Sequence, residues 1–445
     1  VLKTIIKREI LEYLKSAKFL IGLGVTLALA VGGTVINVQD YRARLRDYQA
    51  ASQELKSDRF YIRLYRPPEV LSTLIQGRDR KLGNSLTLTY LSIPSGTSGY
   101  MGEGRSQHNR LVSGFAAVDF AFIVRVVLSL MVVFIAYNAV SEEKSSGTLK
   151  LILSNRVPRD QLLLGKFLGG WFVIMGSLLV SGIVSVILVL SHSFIAFGAG
   201  EWTRLGVFLG LSALYLTVFY AVSLFVSVLV NRPSASLMLL LQAWVFLIVI
   251  YPNLGVVAAE NFYTLPSQEQ LAQQKAAAFQ PYAAEQKKIQ EDFGRAVRSG
   301  SGVSRELGVR NVELRSLQAD LAYQVDAEYG RKLTAQADLA RVISSLSPAV
   351  LFDHAAERYG RTGMAGYERF MREVYRYWQQ HAERSKLIYA DREAYKKAPP
   401  IEFRVPVEST DEALAATWLD WLLLAFLSLT FFALGTTVFL KKDVR

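Results

Sequence analysis

The side chains best suited to do work lie in one short segment, Ser141–Lys166, with the sequence SEEKSSGTLKLILSNRVPRDQLLLGK. Two carboxylates, Glu142 and Glu143, stand where an apolar run ends. Ser145, Ser146 and Gly147 then loosen the backbone, and Thr148–Leu153 is amphipathic. Arg156, Pro158 and Arg159 lead into the next apolar run. A plain connector would be short and polar. This one reads as a short helix held along a membrane edge, with a ridge offered to a soluble partner. Its chemistry is docking and transmission of force. Arg232, in the turn Asn231-Arg232-Pro233, stands where it could touch the same partner.

A second set of polar residues falls inside apolar runs, where a charge is costly and marks function by default. Arg125 lies inside the second run, and Asp119 and Asp420 sit at comparable outer positions. The expectation is an Arg125–Asp420 ion pair, with a substrate contact as the alternative. Asn138, Gln242 and Tyr137 are expected to make helix–helix hydrogen bonds.

Bond-making chemistry finds little support. There is no G-x-x-x-x-G-K-[ST] phosphate loop; Gly165-Lys166 is followed by Phe167. There is no H-E-x-x-H and no G-x-S-x-G. The four histidines, His108, His192, His354 and His381, have no metal-ligand spacing, and cysteine is absent. No catalytic, cofactor-binding or metal-binding residue is assigned.

These residues must be placed by a membrane scaffold. Hydrophobic residues make up 51% of the 445, and only 20% are charged. That balance, split between apolar runs and polar stretches, excludes a single soluble globule. A helix crosses the hydrocarbon in about 20 residues. Six segments qualify: Phe19–Val38, Phe120–Val140, Phe167–Leu190, Leu205–Val230, Ser234–Pro252 and Trp421–Leu440. The first does not read as a cleavable signal peptide, because an amphipathic stretch precedes it and no small-residue cleavage site follows. In Val1–Lys18 the apolar positions Val1, Leu2, Ile5, Ile6, Ile10, Tyr13 and Leu14 predict a helix lying in the interface. Lys and Arg near the span ends, Lys3 to Lys18, Lys144 to Lys166, Arg232 and Lys441 to Arg445, put both termini in the cytoplasm. The net charge of +12 reads as these membrane-flanking loops, with no nucleic acid partner.

Two segments then lie outside, 39–119 and 253–420. Gln39–Asp58 extends the first span as a stalk. Phe60–Tyr65, Leu86–Ile93 and Ile401–Val407 alternate and predict a small sheet, and Ser95–Arg110 a Gly- and Ser-rich loop. Ser267–Val297, with a possible kink at Pro281, and Arg305–Leu346 predict a helical hairpin. Leu307, Leu314 and Leu321 would pack within it, and Pro348 would end it. Pro348–Tyr359 and Tyr367–Lys397 follow as further helices, divided by Gly360–Gly366. The fold class is a mainly α membrane protein: six spans, an interfacial N-terminal helix and a large, mostly helical outer domain with a small β element.

The pattern Glu142-Glu143-Lys144-x-x-Gly147-Thr148-Leu149, then Leu153, Pro158, Arg159 and Gly165-Lys166, resembles the permease subunit of ABC type-2 transporters. Arg66-Pro67-Pro68-Glu69, Ser347-Pro348 and the Gly-Arg-Thr-Gly turn at 360–363 resemble a subfamily with large outer domains. Many members carry short re-entrant helices after span five, where this chain has the long segment 253–420. The resemblance implies a multi-pass permease of a prokaryotic cytoplasmic (inner) membrane, in contact with membrane lipids. It pairs with a second permease chain, identical or homologous, and with two cytoplasmic ATPase subunits. ATP and Mg would belong to those ATPases and not to this chain. Glu142, Glu143, Gly147, Thr148, Leu149, Arg159 and Arg232 would be the coupling positions. The implied activity is ATP-driven export. The alternative is a mechanotransmission complex in which the outer domains act on an extracytoplasmic partner and nothing crosses.

Overall fold

Among the described residues of the computed structural model, six helices carry stretches long and apolar enough to cross a bilayer: Ala17–Ala50, Phe120–Ser145, Arg159–Leu190, Ala199–Leu229, Pro233–Phe262 and Thr410–Lys441, here spans one to six. With little strand besides, the chain is a mainly α membrane protein. The structure describes residues 2–54, 61–79, 85–89, 118–154, 157–300, 302–399 and 401–441. The Gly- and Ser-rich stretch 95–110 and Arg156 lie outside them.

Most spans begin or end beyond the apolar core the sequence marks. The helix of span one runs on as a stalk to Glu54. Span three starts at Arg159, directly after Pro158, and span five continues through Pro252 to Phe262. Pro252 is tolerated there because the turn below it, Phe246–Ile250, is π-helical. Span two has its own π-helical stretch, Ile123–Leu128, around Arg125.

One end of the bundle carries α1 (Leu2–Lys15), which packs along span three, and α2 (Thr148–Ser154). We call this the near end. The far end carries the helices between spans five and six: α3 (Gln268–Phe279), α4 (Ala283–Arg298), α5 (Arg305–Ile343), α6 (Pro348–Gly360), α7 (Met364–Ala390) and α8 (Arg392–Lys397). Pro281 sits in a 3-10 turn joining α3 to α4. Leu314 is buried against Phe279 and Ile289, with Leu307 and Leu321 beside it, so the heptad is spent within the domain. Pro348 does not end α5, which stops at Ile343; it opens α6, where a missing N–H costs nothing.

The β element is a two-stranded antiparallel hairpin, β1 (Tyr61–Tyr65) and β2 (Ser85–Thr89), in register Tyr61 to Thr89. The third expected strand, Ile401–Val407, does not join it. Its alternation is real, with Ile401, Phe403 and Val405 packed on the α7 core. Phe403 meets Phe370 at 6.0 Å and Tyr377 at 5.4 Å. Pro406 cannot donate to a ladder, so the segment stays extended and unpaired.

One placement departs from the sequence reading. Residues 348–360 are not part of a separate outer domain. Phe352 of α6 lies within 4.7 Å of Tyr215 and 6.0 Å of Phe208 in span four. Leu351, Phe352, Ala355, Ala356 and Tyr359 are buried in the same core as the spans. A short helix plugs the far end of the bundle.

Spans three and four touch where Gly170 faces Tyr220; any Cβ at that glycine would overlap the tyrosine hydroxyl. Gly176, two turns on, faces open space. Gly170→Ala should cost about 1–3 kcal/mol through overpacking, read as a lower Tm in detergent, while Gly176→Ala leaves Tm unchanged or slightly raised.

Candidate functional site

The near end is organised around one buried cation. Lys166 Nζ lies 2.8 Å from Glu9 Oε1 of α1 and 2.8 Å from Glu143 Oε1 at the end of span two. Lys166 is 5% exposed, Glu9 8% and Glu143 16%, so the charges answer one another and not water. Glycines on either side make the geometry possible. A Cβ at Gly165 would stand 2.6 Å from Ile5 Cγ2, and one at Gly169 2.6 Å from Glu9 Cβ. α1 therefore beds into a groove on span three, and the lysine between the glycines reaches up to it. Tyr220 of span four donates to the Lys166 carbonyl at 3.1 Å.

The coupling segment is held from the same point. Below the turn Tyr137–Val140, a short helix spans Ser141–Ser145. Gly147 then turns with φ +77°, a conformation that favours glycine, and α2 begins. Val140 and Ser141 donate their amides to Ser227 Oγ at 3.0 and 3.1 Å. Lys144 donates to the Val228 and Val230 carbonyls at the end of span four. Leu149 is buried against Leu162, Leu163 and Leu224. Arg159 donates to the Leu440 carbonyl of span six at 3.2 Å.

The expected coupling positions therefore divide. Glu143, Leu149 and Arg159 face inward and hold the segment. Glu142, Gly147, Thr148 and Arg232 are exposed. Asn138, expected to bridge helices, instead donates to the Glu142 carboxylate one turn along and fixes its position. The sequence reading missed Leu151, which is 67% exposed on α2. The amphipathic pattern of 148–153 contained the signal, but not which leucine faced out. Beside Leu151 an open cavity of about 470 Å³ is lined by Glu12, Tyr13, Glu142, Thr148, Ile152 and Lys166. A surface with an apolar knob, exposed carboxylates and a rigid mount can receive a basic, grooved protein partner.

At the far end the expected Arg125–Asp420 pair does not form. α6 inserts between them and gives each its own partner through adjacent residues: Arg125 pairs with Asp353, and Asp420 with His354 at 2.6 Å. Tyr215 donates to the Arg125 carbonyl at 2.8 Å, and Trp244 of span five to Ser129 Oγ at 2.9 Å. Gln242 makes no helix–helix bond among the described residues; it is exposed on span five. Asp119 caps span two, accepting from Phe122 N at 2.7 Å and Gln76 N at 2.6 Å.

Two of the three outer motifs, 66–69 and 360–363, meet at the end of α6; the third, Ser347-Pro348, opens that helix at its other end, where Ser347 donates to the Leu247 carbonyl of span five at 2.5 Å. Arg66 pairs with Asp79 at 2.5 Å, and Arg44 of the span-one stalk pairs with the same carboxylate. Arg66 also donates to the Arg361 carbonyl at 3.2 Å, and Arg361 faces Glu69 at 3.4 Å. Glu408 takes Arg358 at 2.9 Å and Arg369 at 3.1 Å, while its carbonyl accepts from Arg361 and from buried Arg204 of span four. Gly77, at φ +48°, lets the first loop close over Thr362 and Glu357. These two motifs, with Arg44, Asp79 and Glu408, form one arginine–carboxylate knot.

The profile described as ABC-2 family transporter protein matches residues 3–444. The chain belongs to the ABC-2 transporter family. Among curated proteins it is 30% identical over 125 residues to the probable ABC transporter permease protein NosY of Stutzerimonas stutzeri, covering 28% of this chain and 45% of that one. It is 29% identical over 127 residues, with the same shares, to the protein of that name from Pseudomonas aeruginosa. The matched part is thus less than half the length of these relatives.

Two expectations follow for the charged clusters. Lys166→Met leaves two buried carboxylates unanswered and should cost about 3–5 kcal/mol, seen as a large drop in Tm; exposed Glu142→Gln should change it by less than about 0.5 kcal/mol. Glu357 stands 3.2 Å from Arg78 Nε. Burial pushes its carboxyl up to about 7, opposed by Arg78 and helped by the nearby Asp353 and Asp119 carboxylates. The folded state thus holds this proton more tightly than the unfolded one. The resulting stability is complete below about pH 4.5, the ordinary value, and is lost as pH rises through about 7. Thermal unfolding from pH 4.5 to 8 should show this decline in the wild type, and Glu357→Gln should lack that component.

Proposed function

We propose that the chain is the transmembrane permease subunit of an ATP-driven exporter, with its near end in the cytoplasm. The observation that carries this reading is the α2 surface: exposed Leu151, Thr148 and Glu142 on a segment fastened to spans two, three and four and to α1. A cytoplasmic ATPase bound there pushes on Lys166, and through it on α1 and span three together. ATP and Mg are held by that ATPase, two copies per complex. The basic residues of the near end support its cytoplasmic placement, and with it both termini, in a prokaryotic inner membrane. A second permease chain is supported by span five, whose apolar window is 11% buried. It also exposes Gln242, whose amide needs a partner inside a bilayer.

A second reading has its own observation. α6 ties the outer helices into the bundle through Arg125–Asp353 and His354–Asp420. Movement of the spans is then delivered outward, to an extracytoplasmic partner, without transport.

Leu151→Asp should abolish stoichiometric co-purification of a soluble ATPase subunit from gentle detergent while leaving Tm unchanged. Retention of the ATPase at wild-type ratio would sink the docking assignment. Inverted vesicles that hydrolyse ATP yet accumulate nothing from a lipid, peptide and glycan panel would favour the mechanical reading over export.

A further inference from the structure

The far end holds a cavity of about 540 Å³ that the coupling machinery does not use. Its walls include Pro252 and Val256 on the upper turns of span five, Asp338 and Arg341 of α5, and Asp353 and His354 of α6. This volume is in the range of small-molecule sites.

Most charges around it are already answered within the chain. Asp353 has Arg125, His354 has Asp420, Glu357 has Arg78, and Arg358 has Glu408. Two are not. Among the described residues Asp338 has no hydrogen-bond or ion-pair partner, and Arg341 touches only the His354 ring, at 3.0 and 2.6 Å, with no carboxylate. They lie three residues apart on one helix, hence on one face and about 4.5 Å apart along its axis. A carboxylate and a guanidinium so spaced match a ligand whose ammonium and anionic group are separated by two carbons.

The depth of the cavity says where such a ligand comes from. Counted from Pro233 at 1.5 Å per residue, about 20 residues cross the hydrocarbon and bring span five to Pro252. Pro252–Val256 therefore stands at headgroup level. Val256 of the cavity wall is exposed, as are Val257 next to it in the chain and Val342 and Leu346 just after Arg341, so apolar surface adjoins these charges.

We propose that this cavity binds the headgroup of a phosphatidylethanolamine from the far leaflet. Arg341 holds the phosphate, Asp338 accepts from the ammonium, and the acyl chains leave over this valine and leucine surface. A choline headgroup has no N–H for Asp338, and a glycerol headgroup has no cation. The site discriminates against both. The inference rests on membrane topology and not on ATPase docking.

The test uses the full chain, delipidated and placed in phosphatidylcholine nanodiscs with equal small fractions of phosphatidylethanolamine and phosphatidylglycerol. Retained lipid is counted by native mass spectrometry. The wild type should enrich phosphatidylethanolamine at least tenfold over phosphatidylglycerol, and the double variant Asp338→Asn, Arg341→Gln should bring the two to parity. Val256→Glu changes an apolar wall of the cavity and leaves Asp338 and Arg341 in place, and should also lower the enrichment severalfold. Parity in the wild type, or unchanged enrichment in both variants, would overturn the site. Displacement of the lipid by an equal concentration of water-soluble glycerophosphoethanolamine would overturn the lipid source, assigning the cavity to soluble zwitterions.

Discussion

A buried lysine between two glutamates decides how the near end of this molecule is built. Lys166 could not sit inside the bundle alone, because an unanswered ammonium there costs several kcal/mol. Glu9 and Glu143 come to it from two different elements. Satisfying one charge thus brings α1, the exit of span two and the entry of span three to a single point. The glycines at 165 and 169 are the steric half of the same constraint, since a side chain at either would hold α1 away from its lysine. The exposed face of α2 takes its position from this arrangement together with the Ser227 and Lys144 hydrogen bonds and the buried Leu149.

The far end repeats the logic with arginine. The guanidinium groups of Arg44, Arg66, Arg204 and Arg361 spread over carboxylates and carbonyls in a way a lysine could not, since planar donors satisfy several acceptors at once. The knot fastens the first outer segment, the turn after α6 and the approach to span six. α6 can remain deep among spans four and six because its charged residues, Asp353, His354, Glu357 and Arg358, each arrive with a partner waiting.

Much of the fold was legible because membrane spans announce themselves by length and hydropathy, and α1 by its alternating faces. The family motif at 142–166 was legible too, as a pattern of residue types. Orientation within it was not. Leu149 and Leu151 are identical in type and two apart, and only packing against Leu162 and Leu224 makes one internal. The Arg125–Asp420 expectation failed for a related reason. Arg125 and Asp420 each meet α6 at adjacent residues, but that third helix comes from a segment whose polarity resembles that of an outer domain. The extended run 401–407 shows the limit of periodicity: alternation reports which side chains face a core, and a ladder needs donors that proline lacks.

The insertion of α6 has a mechanical consequence. α5 ends next to it and extends 39 residues, about 58 Å of helix. A rocking of the far end by a few degrees, too small to disturb close-packed side chains, would sweep the tip of that lever arm by about 5 Å for each 5° by simple trigonometry on that length. A slight tilt of the bundle would thus become a stroke of several ångströms at the far tip of α5.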